Sequence, residues 1–233
     1  MSAINEEFEG RTEDIDLDVL PIIETSYGIQ FRENELKGVR TFGELCNIIL
    51  SKITYQDTND CTSQQAFYKL REAIVISCNI DKDTIKIDTP LAPLFPKDGR
   101  KKKINAIEKQ LGFKLKILSP KGFIAGILAI TLVLSFLGIF IALAFKLFHI
   151  SMYALFTFIG SIFLMKIANL LGREFDVSTV GELAEKMTME HYLASRRNTT
   201  TINKSEVVKN IEKLFISKLC LDMKEIKPET IIA

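Results

Sequence analysis

FIAGILAITLVLSFLGIFIALAF, residues 123–145, and LFHISMYALFTFIGSIFLM, residues 147–165, contain no Asp, Glu, Lys or Arg, and only Lys146 parts them. An α-helix rises 1.5 Å per residue, so about 20 residues cross the ~30 Å hydrocarbon layer of a bilayer. Each run reaches that length. Two core helices of a soluble protein would keep a polar stripe, which neither run has. The pair predicts a transmembrane hairpin over 122–166, with almost nothing beyond its tip.

The flanks set its direction. Lys114, Lys116 and Lys121 precede the first run and Lys166 and Arg173 follow the second, whereas the connection holds only Lys146 and His149. Basic residues concentrate on the cytoplasmic side of membrane helices. Both soluble flanks, and with them the N- and C-termini, are expected in the cytoplasm of a cell whose inner membrane is of the bacterial type. The first residues are acidic and polar, with no apolar stretch before Val19, which is unlike a secretory signal. No charge sits at mid-span, so an ion or proton path is not expected. Gly122, Gly126, Gly138 and Gly160, with Ala125, Ala129, Ala142, Ser135 and Ser161, would let the two helices approach closely.

A net charge of +1 over 233 residues conceals an asymmetry: residues 1–62 are acidic and 97–121 strongly basic. The four cysteines, Cys46, Cys61, Cys78 and Cys220, form no CxxC pair, and two histidines, His149 and His191, do not complete a zinc site. Free thiols are expected, with Cys46, Cys78 and Cys220 in cores because apolar residues surround each. His191 is expected at the surface.

Self-similarity organises the soluble parts. Arg40-Thr41-Phe42-Gly43-Glu44-Leu45 matches Ser178-Thr179-Val180-Gly181-Glu182-Leu183, and in both copies Thr and the Glu three residues later form a capping box. These type C helices are expected over 41–54 and 179–193. Type B helices, 16–27 and 100–111, end in matching segments, Tyr27-Gly28-Ile29-Gln30-Phe31 and Leu111-Gly112-Phe113-Lys114-Leu115, where Gly supplies a left-handed cap. Type A helices, 63–79 and 205–220, lead to an Asp (Asp81, Asp222), an Ile (Ile85, Ile226) and then Asp88-Thr89 or Glu229-Thr230.

The order along the chain is B, C, A, B, hairpin, C, A. An amphipathic helix of this length is marginal alone in water. The terminal A helix is therefore expected to dock on the N-terminal B and C helices, joining 13–54 with 205–233 as a circularly permuted bundle. The second bundle is 63–118 with 168–193, and the hairpin is inserted in it. The same pairing between chains would give a homo-oligomer.

These residues resemble the acyl carrier protein family, the small helical bundles that carry phosphopantetheine: Asp81, Ile85 and Thr89 (or Asp222, Ile226 and Thr230) after a first helix, Tyr27-Gly28-Ile29-Gln30-Phe31 after a second, and the Thr179 to Leu183 helix start. The resemblance implies an all-α fold of two carrier-like bundles around the hairpin. It also implies a serine, within Asp-Ser-Leu at the second helix, for the prosthetic arm. This chain has no Asp-Ser-Leu; the equivalent positions fall near Glu13 and Lys97, and Thr12 is the nearest hydroxyl. No cofactor is expected.

Arg100-Lys101-Lys102-Lys103 is either a solvated face or, with Lys121 and Lys166, a contact for anionic lipid headgroups. No aromatic platform accompanies it, so nucleic acid is not the expected partner. No Ser-His-Asp set, Walker loop, dinucleotide fingerprint or catalytic carboxylate pair can be assembled, and an enzyme is not expected. The expected role is a non-catalytic, membrane-anchored carrier-like protein that positions a partner, such as an acyl-transfer or other membrane enzyme, at the bilayer. The alternatives are a true carrier using Thr12 and a structural subunit of a membrane complex.

Overall fold

The computed structural model describes residues 12–222 and 225–232 of the chain, the Thr12 side chain excepted. Helix makes up 64 % of it. The fold is all-α, and the described strands are two short pairs: Gln56–Asp57 runs parallel to Thr201–Ile202, and Leu118–Ser119 antiparallel to Glu174–Phe175.

The repeat helices lie close to their expected positions. The type A helices are Thr62–Cys78 and Lys204–Lys218, and the type C helices Phe42–Lys52 and Val180–Glu190. The second type B helix is Arg100–Leu111, and the first covers residues 12–27, ending in Leu20–Tyr27. Ahead of Pro21, which has no amide hydrogen, its turn widens and the Leu20 amide donates to Ile15 O. Gly28 (φ 63) and Gly112 (φ 84) take the left-handed conformation after the type B helices. Thr41 caps its helix as expected, its hydroxyl accepting from the Glu44 amide, while the Glu44 carboxylate accepts from Thr41 and Arg40 and is thereby held below the usual carboxylate range.

The two copies close through the same backbone hydrogen bonds. In one, the amides of Phe42 and Gly43 donate to Thr230 O (2.9 Å) and Pro228 O (2.8 Å), and Ile232 donates to Arg40 O (2.9 Å). In the other, Val180 and Gly181 donate to Thr89 O (3.0 Å) and Ile87 O (2.8 Å), and Leu91 donates to Ser178 O (2.9 Å). A Cβ on Gly43 would come within 2.9 Å of Pro228 O, and one on Gly181 within 2.9 Å of Ile87 O. Glycine is required at both places for that close approach, not for its torsion angles.

Residues 15–53 and 192–232 share one apolar core, in which Phe42 meets Phe215 edge-on at 5.4 Å and Tyr27 lies 5.0 Å from Tyr192. Burial pushes the Tyr27 phenol well up, and its oxygen accepts from Asn210 Nδ2 at 3.0 Å.

The compact units differ from the expected boundaries. One holds the described residues up to Thr89, 109–113 and those from Thr179 on; the other holds Pro90–Glu108 and Lys114–Ser178. Helices Thr62–Cys78 and Val180–Glu190 thus fall with the permuted bundle instead of forming a separate one with 100–118. The reason is local packing: Val180–Glu190 touches Thr62–Cys78, Leu20–Tyr27 and Lys204–Lys218. Hydrogen bonds from the Tyr192 amide to Ser26 Oγ (2.7 Å) and from Asn210 Nδ2 to Thr188 O (2.8 Å) reinforce it.

Of the three cysteines expected in cores, Cys46 is buried, Cys78 is half-buried and Cys220 is exposed. Cys220 follows the last helical turn in a left-handed conformation (φ 49), so its apolar neighbours in sequence are not its neighbours in space. Burial pushes the Cys46 thiol up to about 12. At neutral pH it is both covered and un-ionised. Maleimide labelling followed by mass analysis should therefore modify Cys61 and Cys220 in the folded protein and reach Cys46 only on unfolding. Phe215→Ala should lower the urea midpoint of Cys46 labelling by the equivalent of about 3–5 kcal/mol.

Candidate functional site at the base of the apolar hairpin

Helices Gly122–Ala144 and Phe148–Leu171 are long and apolar enough to cross a membrane, and little of either is buried in protein. Phe123, Phe148 and Phe163 are 64 %, 72 % and 64 % exposed. Every Ser and Thr hydroxyl in them is satisfied inside its own helix: Thr131, Ser135, Ser151, Thr157 and Ser161 each donate to a carbonyl three or four residues back, at 2.8–2.9 Å. That is the arrangement hydrocarbon demands, because it offers no competing partner. The helices meet through small residues, with Ala142, Ser135, Ser151 and Ser161 buried and Ala154 Cβ 3.6 Å from where a Cβ on Gly138 would stand. A Cβ on Gly122, Gly126 or Gly160 would meet nothing within 4 Å, so these three do not serve the close approach.

The tip turns tightly. Leu147 donates to Ala142 O and Lys146 to Leu143 O, with Lys146 at φ 56 in the place glycine usually takes. At the other end the chain is cinched: Leu118 pairs with Phe175 and Ser119 with Glu174. The Asp176 amide donates to Ile117 O. A Cβ on Gly172 would run into the Ser119 carbonyl group, so only glycine fits where the second helix returns to the ribbon.

Of the residues expected to touch headgroups, Arg100 does not. It is 3 % exposed; its Nε donates to Phe95 O (2.7 Å), its Nη1 to Arg173 O, and its guanidinium lies 4.3 Å over the Phe175 ring. Arg100 is a structural clamp between residue 95 and the strand that follows the hairpin. Sequence could not separate it from Lys101–Lys103, since a charge run does not reveal which member turns inward. Lys101 Nζ donates to Leu170 O (2.6 Å), a last-turn carbonyl of the second helix, where a cation also suits the helix dipole. Lys102, Lys121 and Lys166 are exposed and Lys103 is half-buried. Lys121 stands at the N-terminal boundary of the first helix, its main-chain carbonyl accepting from Ile124 and Ala125 and its Nζ 5.9 Å from the Phe123 ring centroid.

The two expected attachment positions are exposed and bear no hydroxyl. Glu13 lies in the first helical turn, and Lys97 Nζ is held by the Glu174 carboxylate at 2.7 Å. That hydrogen bond, with the charges of Lys97, Arg100 and Lys121, keeps the Glu174 carboxyl below the usual carboxylate range. Thr12 opens the helix, and its side chain lies outside the described residues. Among the described residues no three His, Cys, Asp or Glu side chains gather to hold a metal. His191 is half-buried, 4.4 Å from the Phe113 ring, rather than at the surface.

A buried polar network, not signalled by any motif, anchors the linker between residues 192 and 204. Arg196 is 0 % exposed; Nη1 donates to Thr62 Oγ1, Nη2 to Thr58 Oγ1 (2.8 Å) and Nε to Thr201 Oγ1 (3.4 Å), with Asp60 Oδ2 at 3.7 Å. Thr62 Oγ1 in turn donates to Tyr192 OH (2.9 Å), which reaches Asn203 O. Thr58 and Thr62 are remote in sequence from Arg196, which is why no local pattern reveals the cluster. Arg196→Ala should destabilise this unit by about 3–5 kcal/mol, through a cavity and stranded hydroxyls, read as an earlier onset of Cys46 labelling in urea.

No family model, curated protein or solved structure significantly matches this chain.

Proposed function

We propose that this chain is a non-catalytic membrane protein, anchored by its hairpin, whose carrier-like helical repeats recruit or position a partner protein at the bilayer. The observation that carries this is a contrast within the repeats. The closing hydrogen bonds of the fold occur twice, whereas both positions where a carrier would bear its serine hold a charged residue, Glu13 and Lys97. A scaffold that keeps its closure without an attachment hydroxyl is suited to binding and not to carrying.

Anchoring rests on two exposed apolar helices with internally satisfied hydroxyls, and orientation on Lys114, Lys116, Lys121, Lys166 and Arg173 at their bases. The repeats then face the cytoplasm, at an inner membrane of the bacterial type. The partner is a protein whose work requires the membrane surface, such as an acyl-transfer enzyme.

Incubation with a phosphopantetheinyl transferase and coenzyme A should leave the intact mass unchanged. A stoichiometric increment would overturn the non-carrier role, and its loss in Thr12→Ala would assign that hydroxyl as the carrier site. Orientation has its own test. In intact cells with a permeable outer layer, a membrane-impermeant maleimide should label Lys146→Cys, but Cys61 and Cys220 only after the inner membrane is opened; the reverse pattern would invert the topology.

A further inference from the structure

A cleft of about 590 Å³ lies at the base of the hairpin, within the unit that contains both membrane helices. Its walls are apolar: Ile124 and Leu128 from the first helix, Leu164, Ile167 and Leu171 from the second. Its rim is charged, bearing Lys97, Lys121 and Arg173 beside a single carboxylate, Glu174. Lys97 is committed to Glu174 at 2.7 Å. The Lys121 ammonium and the Arg173 guanidinium form no ion pair among the described residues; only the Arg173 main-chain carbonyl is engaged, by Arg100.

Three classes of small ligand suit parts of this site, and one suits all of it. A free phosphate ester would meet the rim cations and leave the apolar walls wet. A neutral lipid would fill the walls and leave two cations uncompensated. A lipid with a net negative head places alkyl chain against Ile124, Leu128, Leu164 and Ile167 and its phosphate between Lys121 and Arg173, satisfying both halves. The position agrees, because this is the end of the helices at which hydrocarbon gives way to headgroups. The floor is also preorganised. The ribbon of Leu118–Ser119 with Glu174–Phe175, closed over Gly172, ties the two helix ends together through backbone contacts.

We infer that this cleft binds one anionic phospholipid, with Lys121 and Arg173 as its phosphate-binding residues. The inference rests on the membrane-anchored role proposed above and adds a defined lipid site to it. Full-length protein, purified in mild detergent and stripped of lipid, is titrated with phosphatidylglycerol or phosphatidylcholine and followed by native mass spectrometry. One phosphatidylglycerol should be retained at least tenfold more strongly than phosphatidylcholine, and excess glycerol 3-phosphate should not displace it. The double variant Lys121→Gln/Arg173→Gln should abolish the preference, Ala168→Trp, which fills the cleft without changing its charge, should abolish retention, and Lys102→Gln should change neither. Equal retention of the two lipids, displacement by glycerol 3-phosphate, or retention unaffected by the cleft variants would overturn the site. Each variant is also checked for resistance to alkaline extraction from membranes. Wild-type protein that is extracted there, or is monodisperse without detergent, would overturn the anchoring itself; a protein that stays in the membrane without lipid preference overturns only the cleft.

Discussion

The amide of Gly43 donating 2.8 Å to Pro228 O joins the two ends of the chain, and much of the architecture depends on that contact. It is short because position 43 has no Cβ, and it is flanked by bonds from Phe42 to Thr230 and from Ile232 to Arg40. With the segment after the last helix held there, Ile211 and Phe215 are buried against Phe42 and the rest of the N-terminal core. Val180–Glu190 packs on both terminal pieces as well, against Leu20–Tyr27 in one and Lys204–Lys218 in the other. The parallel contact of Gln56–Asp57 with Thr201–Ile202 and the Arg196 cluster hold the returning linker, so the closure is fixed at both ends of the Lys204–Lys218 helix.

The helices were largely legible from local pattern. The threonine caps at Thr41 and Thr179 and the glycines at 28 and 112 place helix ends within a few residues of where they lie. The repeat went further, because Gly43 and Gly181 occupy the same step of the same hydrogen-bonding pattern. Periodicity failed where the deciding neighbour was remote. Arg100 turns inward because Phe95 O, Arg173 O and the Phe175 ring await it, Cys220 turns outward because its helix has just ended, and Arg196 is held by hydroxyls more than a hundred residues away in sequence. The grouping of the helices into units depends on remote neighbours too: an amphipathic stripe shows that Val180–Glu190 needs partners without naming Leu20–Tyr27 and Lys204–Lys218 among them.

The candidate site was legible in part. Lys121 and Lys166 mark the ends of the apolar run by type and position, but Arg173 gains its place in a cleft only when Gly172 brings the second helix back against Ser119. Lys97, where the proposed likeness to carrier proteins would place a hydroxyl, forms an ion pair with Glu174 on the strand that leaves the hairpin. At that position the charge is therefore part of the local structure, beyond the mere absence of a serine.

Insertion of the apolar hairpin inside a repeat is physically reasonable once the corresponding connection in the other copy is considered. There, Glu24 accepts from the amide of Phe31 (2.6 Å), and the chain passes through turns at Asn34 and Gly38 before Arg40 accepts from Ile232. In the copy with the insert, Glu108 accepts from the amide of Leu115 (2.9 Å), and Ser178 accepts from Leu91. Between these matched points one copy has a short loop and the other the whole hairpin. The Ile117–Asp176 hydrogen bond and the Leu118–Phe175 ribbon bring the two ends of the insert together immediately. The repeat therefore experiences little more than a turn. Loop-closure entropy rises only logarithmically with length, and here the ribbon has already met it, so a long apolar hairpin can be carried without opening the bonds on either side of it.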